Sequence, residues 1–325
     1  MYLTNPHALP RYLYEIILAQ QKKPAEHEVH VTDLTRPPLI RRLLIDHWEH
    51  IRTDAASELW ALLGTAIHDY IVERADAKLK HYNLERKLTA CGQNFVLKGQ
   101  LDLLLWDDRL VDVKLTSRMG YEKARERIEK GLDDPWVQQV NIYRWMLERS
   151  TDFRVSGLQI HVLMRDLFPA RTFYHDYPDS LFAGIDVPMW TLEDTEDFVL
   201  TRLSEHVKPV RACTLDEMWY TTGYALMERG KKRAIKVEPT REKLVAYAEE
   251  KGIEIDGEQY YIENRDSGRR RCANYCPVAG VCPLNSILTD IDNGEEIPLQ
   301  VSIAKHPYDE TVEEYRERRS ANVER

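Results

Sequence analysis

The 325-residue sequence has no apolar run that approaches the roughly 20 residues of a membrane span. Its first twenty residues, MYLTNPHALPRYLYEIILAQ, lack the basic flank, apolar block and small-residue cleavage site of a secretory signal. Together these absences predict a cytoplasmic protein with no membrane partner. Cysteine is scarce and odd in number, at five. In a reducing compartment that argues against a disulfide framework and for metal binding or thiol chemistry. Positive charge is also in deficit, with 45 Lys+Arg against 54 Asp+Glu and a net charge of −9. Coating nucleic acid through bulk positive charge is therefore excluded, although a local basic channel is not. Repeats and low-complexity tracts do not occur. What is present is a hydrophobic fraction of 43%, enough for a sizeable core.

Residues 28–52 suggest a start capped near Pro37 and Pro38, followed by a short amphipathic, arginine-bearing helix. From Thr53 to about Lys80 the spacing of Trp60, Leu63, Ile67 and Ile71 predicts a long helix that buries one face. Strands are predicted at 84–90, 94–105, 110–116 and about 157–165, with a helix over 134–149 capped by Asp134 and opened by Pro135. Trp136, Val140, Tyr143 and Leu147 line one side of it. This order implies an α/β fold with a mixed central sheet flanked by helices. Beyond about residue 206 the pattern turns irregular and more basic, with GKKRAIK at 230–236 and SGRRRC at 267–272. The expected divisions are an N-terminal helical segment at 1–52, a core at 53–205, a cysteine-bearing region at 206–290 and a charged tail at 291–325.

The most informative stretch is GQLDLLLWDDRLVDVKLT, residues 99–116. Asp112 and Lys114 are two apart on a strand and share a face, while Val111, Val113 and Leu115 take the other. Asp102 interrupts the apolar run from Leu101 to Leu105. A lone carboxylate buried there is unfavourable unless donors or a cation compensate it. A divalent cation such as Mg²⁺, which takes hard oxygen ligands, would do so. A two-residue loop at Asp107–Asp108 would send the two aspartates to opposite faces. Their convergence therefore demands an odd loop or a bulge. The alternative is a solvated Asp112–Lys114 pair with Asp102 at a strand edge.

Two helical pairs bear on that choice. His68 follows Gly64 by one turn in GTAIH, where a glycine would permit close approach of another element. Gln139 precedes Tyr143 by one turn in QVNIY. Taken singly, such a histidine is more often a satisfied core residue, and the glutamine spacing is one that helix surfaces often offer. Taken in order, Gly64-x-x-x-His68, Gly99-x-x-Asp102, Asp112-x-Lys114 and Gln139-x-x-x-Tyr143 resemble the RecB-like branch of the PD-(D/E)xK nuclease superfamily over residues 53–165. Leu101-Asp102 stands in place of the name-giving Pro-Asp. The resemblance implies a restriction-endonuclease-like core. It implies that His68, Asp102, Asp112 and the Val113 carbonyl hold Mg²⁺ or Mn²⁺, and that Lys114 orients or deprotonates the attacking water. Gln139 and Tyr143 would position the DNA backbone. Glu85 is a further acidic candidate, or a solvent-facing one.

The remaining cysteines cluster as Cys272-x3-Cys276-x5-Cys282. Zinc sites favour one close cysteine pair with another, and no second pair exists here. Iron–sulfur clusters accept a distant fourth thiolate and often have proline after a ligand, as in Cys276-Pro277 and Cys282-Pro283. Cys213 in the same region is preferred as the fourth ligand over Cys91, which is expected to be a buried inert thiol between strands. A Cys213–Cys272 link would close a loop of about sixty residues and fasten the basic stretches beside the active cleft. The layout is similar to AddB, CRISPR-associated RecB-like exonucleases and their phage relatives, which carry a [4Fe–4S] cluster. It departs from them in having no cysteine before residue 91 and a three-residue first gap. The expectation is a metal-dependent exonuclease acting on DNA ends, single-stranded or partly so. It would serve recombination, repair or phage replication in a bacterial or phage-infected cell, with recombination or replication proteins as partners. The alternatives are a non-catalytic DNA-binding or assembly protein on a nuclease frame and a zinc-stapled nuclease with endonuclease activity.

Overall fold

The computed structural model describes residues 1–132, 134–166, 180–207, 210–220, 223–255, 259–265 and 268–292. Most of the charged tail lies outside the described residues. The chain divides into two compact units, with the division between Val210 and Arg211.

In the first unit the elements run β1 (Tyr2–Thr4), α1 (Arg11–Gln20), β2 (Glu28–His30), α2 (Val31–Leu34), α3 (Pro38–Asp46), β3 (Arg52–Asp54), α4 (Leu59–Arg74), β4 (Leu79–Ala90), β5 (Gln93–Leu104), β6 (Arg109–Thr116), α5 (Arg118–Glu129), α6 (Pro135–Ser150), β7 (Gly157–Met164), β8 (Phe182–Val187) and α7 (Leu192–Glu205). A mixed sheet forms its centre. β4 pairs antiparallel along β5, β6 pairs parallel with β7, and β8 closes the far edge antiparallel to β7. The parallel β6–β7 step is spanned by α5 and α6, as a crossover connection requires.

The other edge of β5 carries two partners. β2 pairs parallel with Val96–Lys98, and β6 pairs antiparallel with only Leu103 and Leu104. Residues 99–102, the Gly-x-x-Asp segment, therefore have no ladder partner on that edge. α6 covers the sheet there, because its face of Val140, Ile142, Tyr143, Met146 and Leu147 is buried in the main core with Leu97, Leu101 and Leu110. Asp134 accepts a hydrogen bond from the Trp136 amide and Pro135 occupies the first turn, so this helix starts where its capping residues dictate.

Helix α4 differs from its expectation. Asp54 caps a short 3₁₀ turn at Ala55–Glu58, and the α-helix runs only from Leu59 to Arg74. Trp60 is 58% exposed and Leu63 42%, and Val72 alone on this helix is fully buried, against Leu103, Val111 and Val113. Apolar spacing identifies the helix but does not say that anything covers the stripe. Helix α3 shows the converse. Its Arg41 is buried and donates to the carbonyls of Ala25, Glu26 and Glu28, so the arginine ties the chain segment leading into β2.

The second unit is not irregular as expected. β9 (Tyr224–Glu228), β10 (Lys236–Glu238) and β11 (Tyr260–Asn264) form an antiparallel sheet in the order β10-β9-β11. α8 (Arg241–Glu250) packs Leu244 and Ala248 against Leu226. α9 (Arg270–Asn274) and α10 (Pro283–Asp292) follow, and Met218 and Leu288 pack with Cys213 and Cys272. Strands of three to five residues are too short for two-residue alternation to stand out in the sequence.

Candidate active site

The loop between β5 and β6 decides whether Asp102 shares a face with Asp112 and Lys114. Leu103 pairs with Val111 and Leu104 with Leu110, and the Leu105 amide donates to the Arg109 carbonyl at 2.9 Å. The turn is thus Trp106-Asp107-Asp108, three residues, with Asp108 in the left-handed region at φ 66°. The odd length meets the requirement set by the sequence. Continuing the register places Asp102 directly across from Asp112, on one face. Beyond Leu103 the strands part, and the Asp102 side chain enters the gap, where its Oδ2 accepts the Val113 N–H at 2.7 Å.

Asp112 is 1% exposed. Its Oδ1 accepts from Gln139 Nε2 at 3.0 Å. Lys114 Nζ forms an ion pair with Oδ2 at 2.7 Å, at an angle poor for a hydrogen bond. Burial raises the Asp112 pKa to about 6, with the Lys114 ammonium pulling it down and the Asp102 charge pushing it up. Gln139 is the hub of the site. Besides Asp112, it accepts from Lys114 Nζ at 3.0 Å through Oε1 and reaches the Tyr143 hydroxyl at 3.1 Å through Nε2. Burial and the Asp112 charge raise the Tyr143 pKa, so the phenol stays protonated.

His68 completes the cluster from α4. Its Nε2 is 2.9 Å from Asp102 Oδ1 and its Nδ1 is 3.1 Å from Asp69 Oδ1. The hydrogen bond to Asp102 leads the causes that raise the His68 pKa to about 9, with burial opposing it. Gly99 is needed for close approach: a Cβ there would come within 2.7 Å of Tyr143 Cε1 and 2.8 Å of Val31 Cγ2. Gly64 is not, contrary to expectation, since a Cβ there meets nothing within 4 Å. Glu85 also stays outside, exposed on β4 opposite Lys98. Two residues near His68, Asp69 and His81, were not anticipated, and His81 sits in a strand with nothing in its local sequence to single it out.

Residues 7–283 match the family model of the PD-(D/E)XK nuclease superfamily. The chain belongs to the PD-(D/E)XK nuclease superfamily. No curated protein matches it significantly. Among solved structures, the crystal structure of SSO0001 is 18% identical, with a TM-score of 0.39, covering 61% of this chain and 85% of that one. The crystal structure of an alkaline exonuclease from Laribacter hongkongensis is 13% identical, with a TM-score of 0.35, covering 61% and 92%.

By its family the protein is a nuclease, a phosphodiester hydrolase, and superfamily members typically use Mg²⁺ or Mn²⁺. The donor set suits such an ion. Two carboxylates converge, and the fully buried one keeps a raised pKa despite Lys114 at 2.7 Å, so a further cation would stabilise its charged form. In the chain alone, the Lys114 ammonium and protonated His68 are the positive charges facing these carboxylates.

In the second unit, Cys213, Cys272, Cys276 and Cys282 gather closely enough that each thiol of the triplet bears on Cys213. Burial is the main reason that the Cys213, Cys272 and Cys276 thiols have raised pKa values. Cys91 is elsewhere, exposed rather than buried, at φ 48° in the Cys91-Gly92 turn joining β4 and β5.

Proposed function

We propose that this nuclease is a metal-dependent deoxyribonuclease that degrades DNA from its ends, single-stranded or partly single-stranded, in recombination, repair or phage replication. The observation that carries the reading is the buried Asp112 carboxylate, with Lys114 2.7 Å away and an oxygen lacking an aligned donor. Asp102, Asp112, His68 and the Val113 carbonyl would hold Mg²⁺ or Mn²⁺, which would supply Lewis-acid polarisation of the scissile phosphate. Lys114 is partly exposed, so its ammonium can face both Asp112 and an incoming phosphate, where it orients the attacking water and offsets developing charge. Gln139 fixes the directions of Asp112 and Lys114 together, and the neutral Tyr143 hydroxyl anchors Gln139.

The four gathered cysteines support a [4Fe–4S] cluster as a structural staple of the second unit. The proline after Cys276 and after Cys282, and the lack of a second close cysteine pair, favour a cluster over zinc.

The test is degradation of end-labelled single- and double-stranded DNA, with a covalently closed circular control, in Mg²⁺ and in Mn²⁺. Linear DNA should be consumed from the label while the circle survives, and Asp112→Ala and Lys114→Ala should each abolish the reaction in folded protein. Cleavage of the circle would overturn the end-dependent reading. Undiminished activity in either variant would overturn the site.

A further inference from the structure

His68, Asp69 and His81 each bring one ligand atom to within 4.8 Å of the others, the one such trio of His, Cys, Asp or Glu among the described residues. His68 and Asp69 come from α4, and His81 from β4. The two imidazole rings meet edge to face with centroids 5.5 Å apart. His81 stands opposite Asp102 in the β4–β5 register, yet the ladder skips that pair and His81 has φ 45°. Left-handed backbone within a strand is uncommon outside glycine, although histidine is among the side chains that adopt it more often.

The donor set differs in kind from that of Asp102 and Asp112. Two imidazoles and one carboxylate suit Zn²⁺, Co²⁺ or Ni²⁺, whereas hard oxygens suit Mg²⁺ and Mn²⁺. The geometry of His68 links the two. Its Nε2 faces Asp102 at 2.9 Å and its Nδ1 faces Asp69 at 3.1 Å. Metal binding displaces one proton from the charged His68, and the neutral imidazole that remains carries one. With the proton on Nε2, the ring donates to Asp102 and offers the Nδ1 lone pair to an ion between Asp69 and His81. With the proton on Nδ1, it donates to Asp69 and offers Nε2 to an ion at Asp102.

We infer that His68, Asp69 and His81 form a second cation site, selective for a transition metal over Mg²⁺, whose occupation withdraws His68 from the Asp102–Asp112 site. The competition rests on the catalytic reading above, but the existence of the site does not.

The test titrates Co²⁺ into the protein with its cysteines unchanged, so that any thiol binding cancels between variants. In the Asp112→Asn background, which removes the first site, the protein should bind one more equivalent than the same protein carrying His81→Ala or Asp69→Asn, the latter a change at an exposed helical position. Equal stoichiometry in Asp112→Asn and in both of those double variants overturns the site. Zn²⁺ is then added to Mg²⁺-supported cleavage. His81→Ala should keep its Mg²⁺-supported activity and require at least about tenfold more Zn²⁺ for the same inhibition, the scale of a lost metal contact. Equal Zn²⁺ sensitivity overturns the competition. If wild type cleaves nothing, the catalytic reading fails, while the Co²⁺ stoichiometry still decides the site.

Discussion

Replacing Asp112 by asparagine should stabilise the metal-free nuclease while destroying its activity. Burial holds the Asp112 carboxyl at a pKa of about 6 against an ordinary 3.8. At about 1.4 kcal/mol per decade, that rise amounts to about 3 kcal/mol carried by the folded chain whenever the group is ionised. The folded state binds this proton more tightly than the unfolded state, so the penalty is absent below pH 3.8, grows up to about pH 6 and is complete above it. Asparagine keeps the shape and cannot ionise. In chelator at pH 8, the melting temperature of the first unit should rise by roughly 6–12 °C, at about 2–4 °C per kcal/mol for a domain of this size. By pH 5 the gain should fall to about half. Adding Mg²⁺ or Mn²⁺ should raise the melting point of the wild type much more than that of the variant. Differential scanning calorimetry across pH, with and without metal, measures all three. A variant that melts at or below the wild type at pH 8 in chelator, or a gain that ignores pH, would refute the account of Asp112 as a buried charge that Lys114 and Gln139 offset only in part.

Gly99→Ala forces Tyr143 and Val31 apart in a buried gap and should destabilise the first unit by about 1–3 kcal/mol, as overpacking does. Gly64→Ala should be neutral or mildly stabilising, so equal melting shifts in the two variants would count against the close approach. Cys213→Ser should bleach any cluster absorbance and lower the stability of the second unit, whereas Cys91→Ser, in an exposed turn, should change neither. Retained iron in Cys213→Ser would remove Cys213 from the ligand set.

The gathering of the candidate residues was legible wherever chemistry left a mark against its surroundings. Asp102 among leucines, Asp112 and Lys114 on one strand face, and Gln139 one turn from Tyr143 all come together in the structure. The odd β5–β6 loop could be anticipated because two aspartates ten residues apart impose a parity condition. Gly64 misled because a glycine in a helix signals close packing only if another element arrives there, and none does. The apolar stripe on α4 misled for the same reason, since periodicity describes a helix and not its neighbours. β2 was invisible because three residues, Glu28–His30, carry too little pattern, yet they fix one edge of the gap at residues 99–102. His81 and Asp69 could not be found from the sequence, since their importance lies in backbone direction and in proximity across elements.

The three-residue turn at Trp106-Asp107-Asp108 has a consequence for how this gene can vary. Loss or gain of a single codon there would rotate Asp112 and Lys114 to the opposite side of the sheet without touching either residue. A change of two codons would restore the facing. Related sequences should therefore tolerate many substitutions in this turn while their loop lengths differ only by even numbers. Deep insertion and deletion scanning would read the catalytic geometry as an alternation of live and dead lengths.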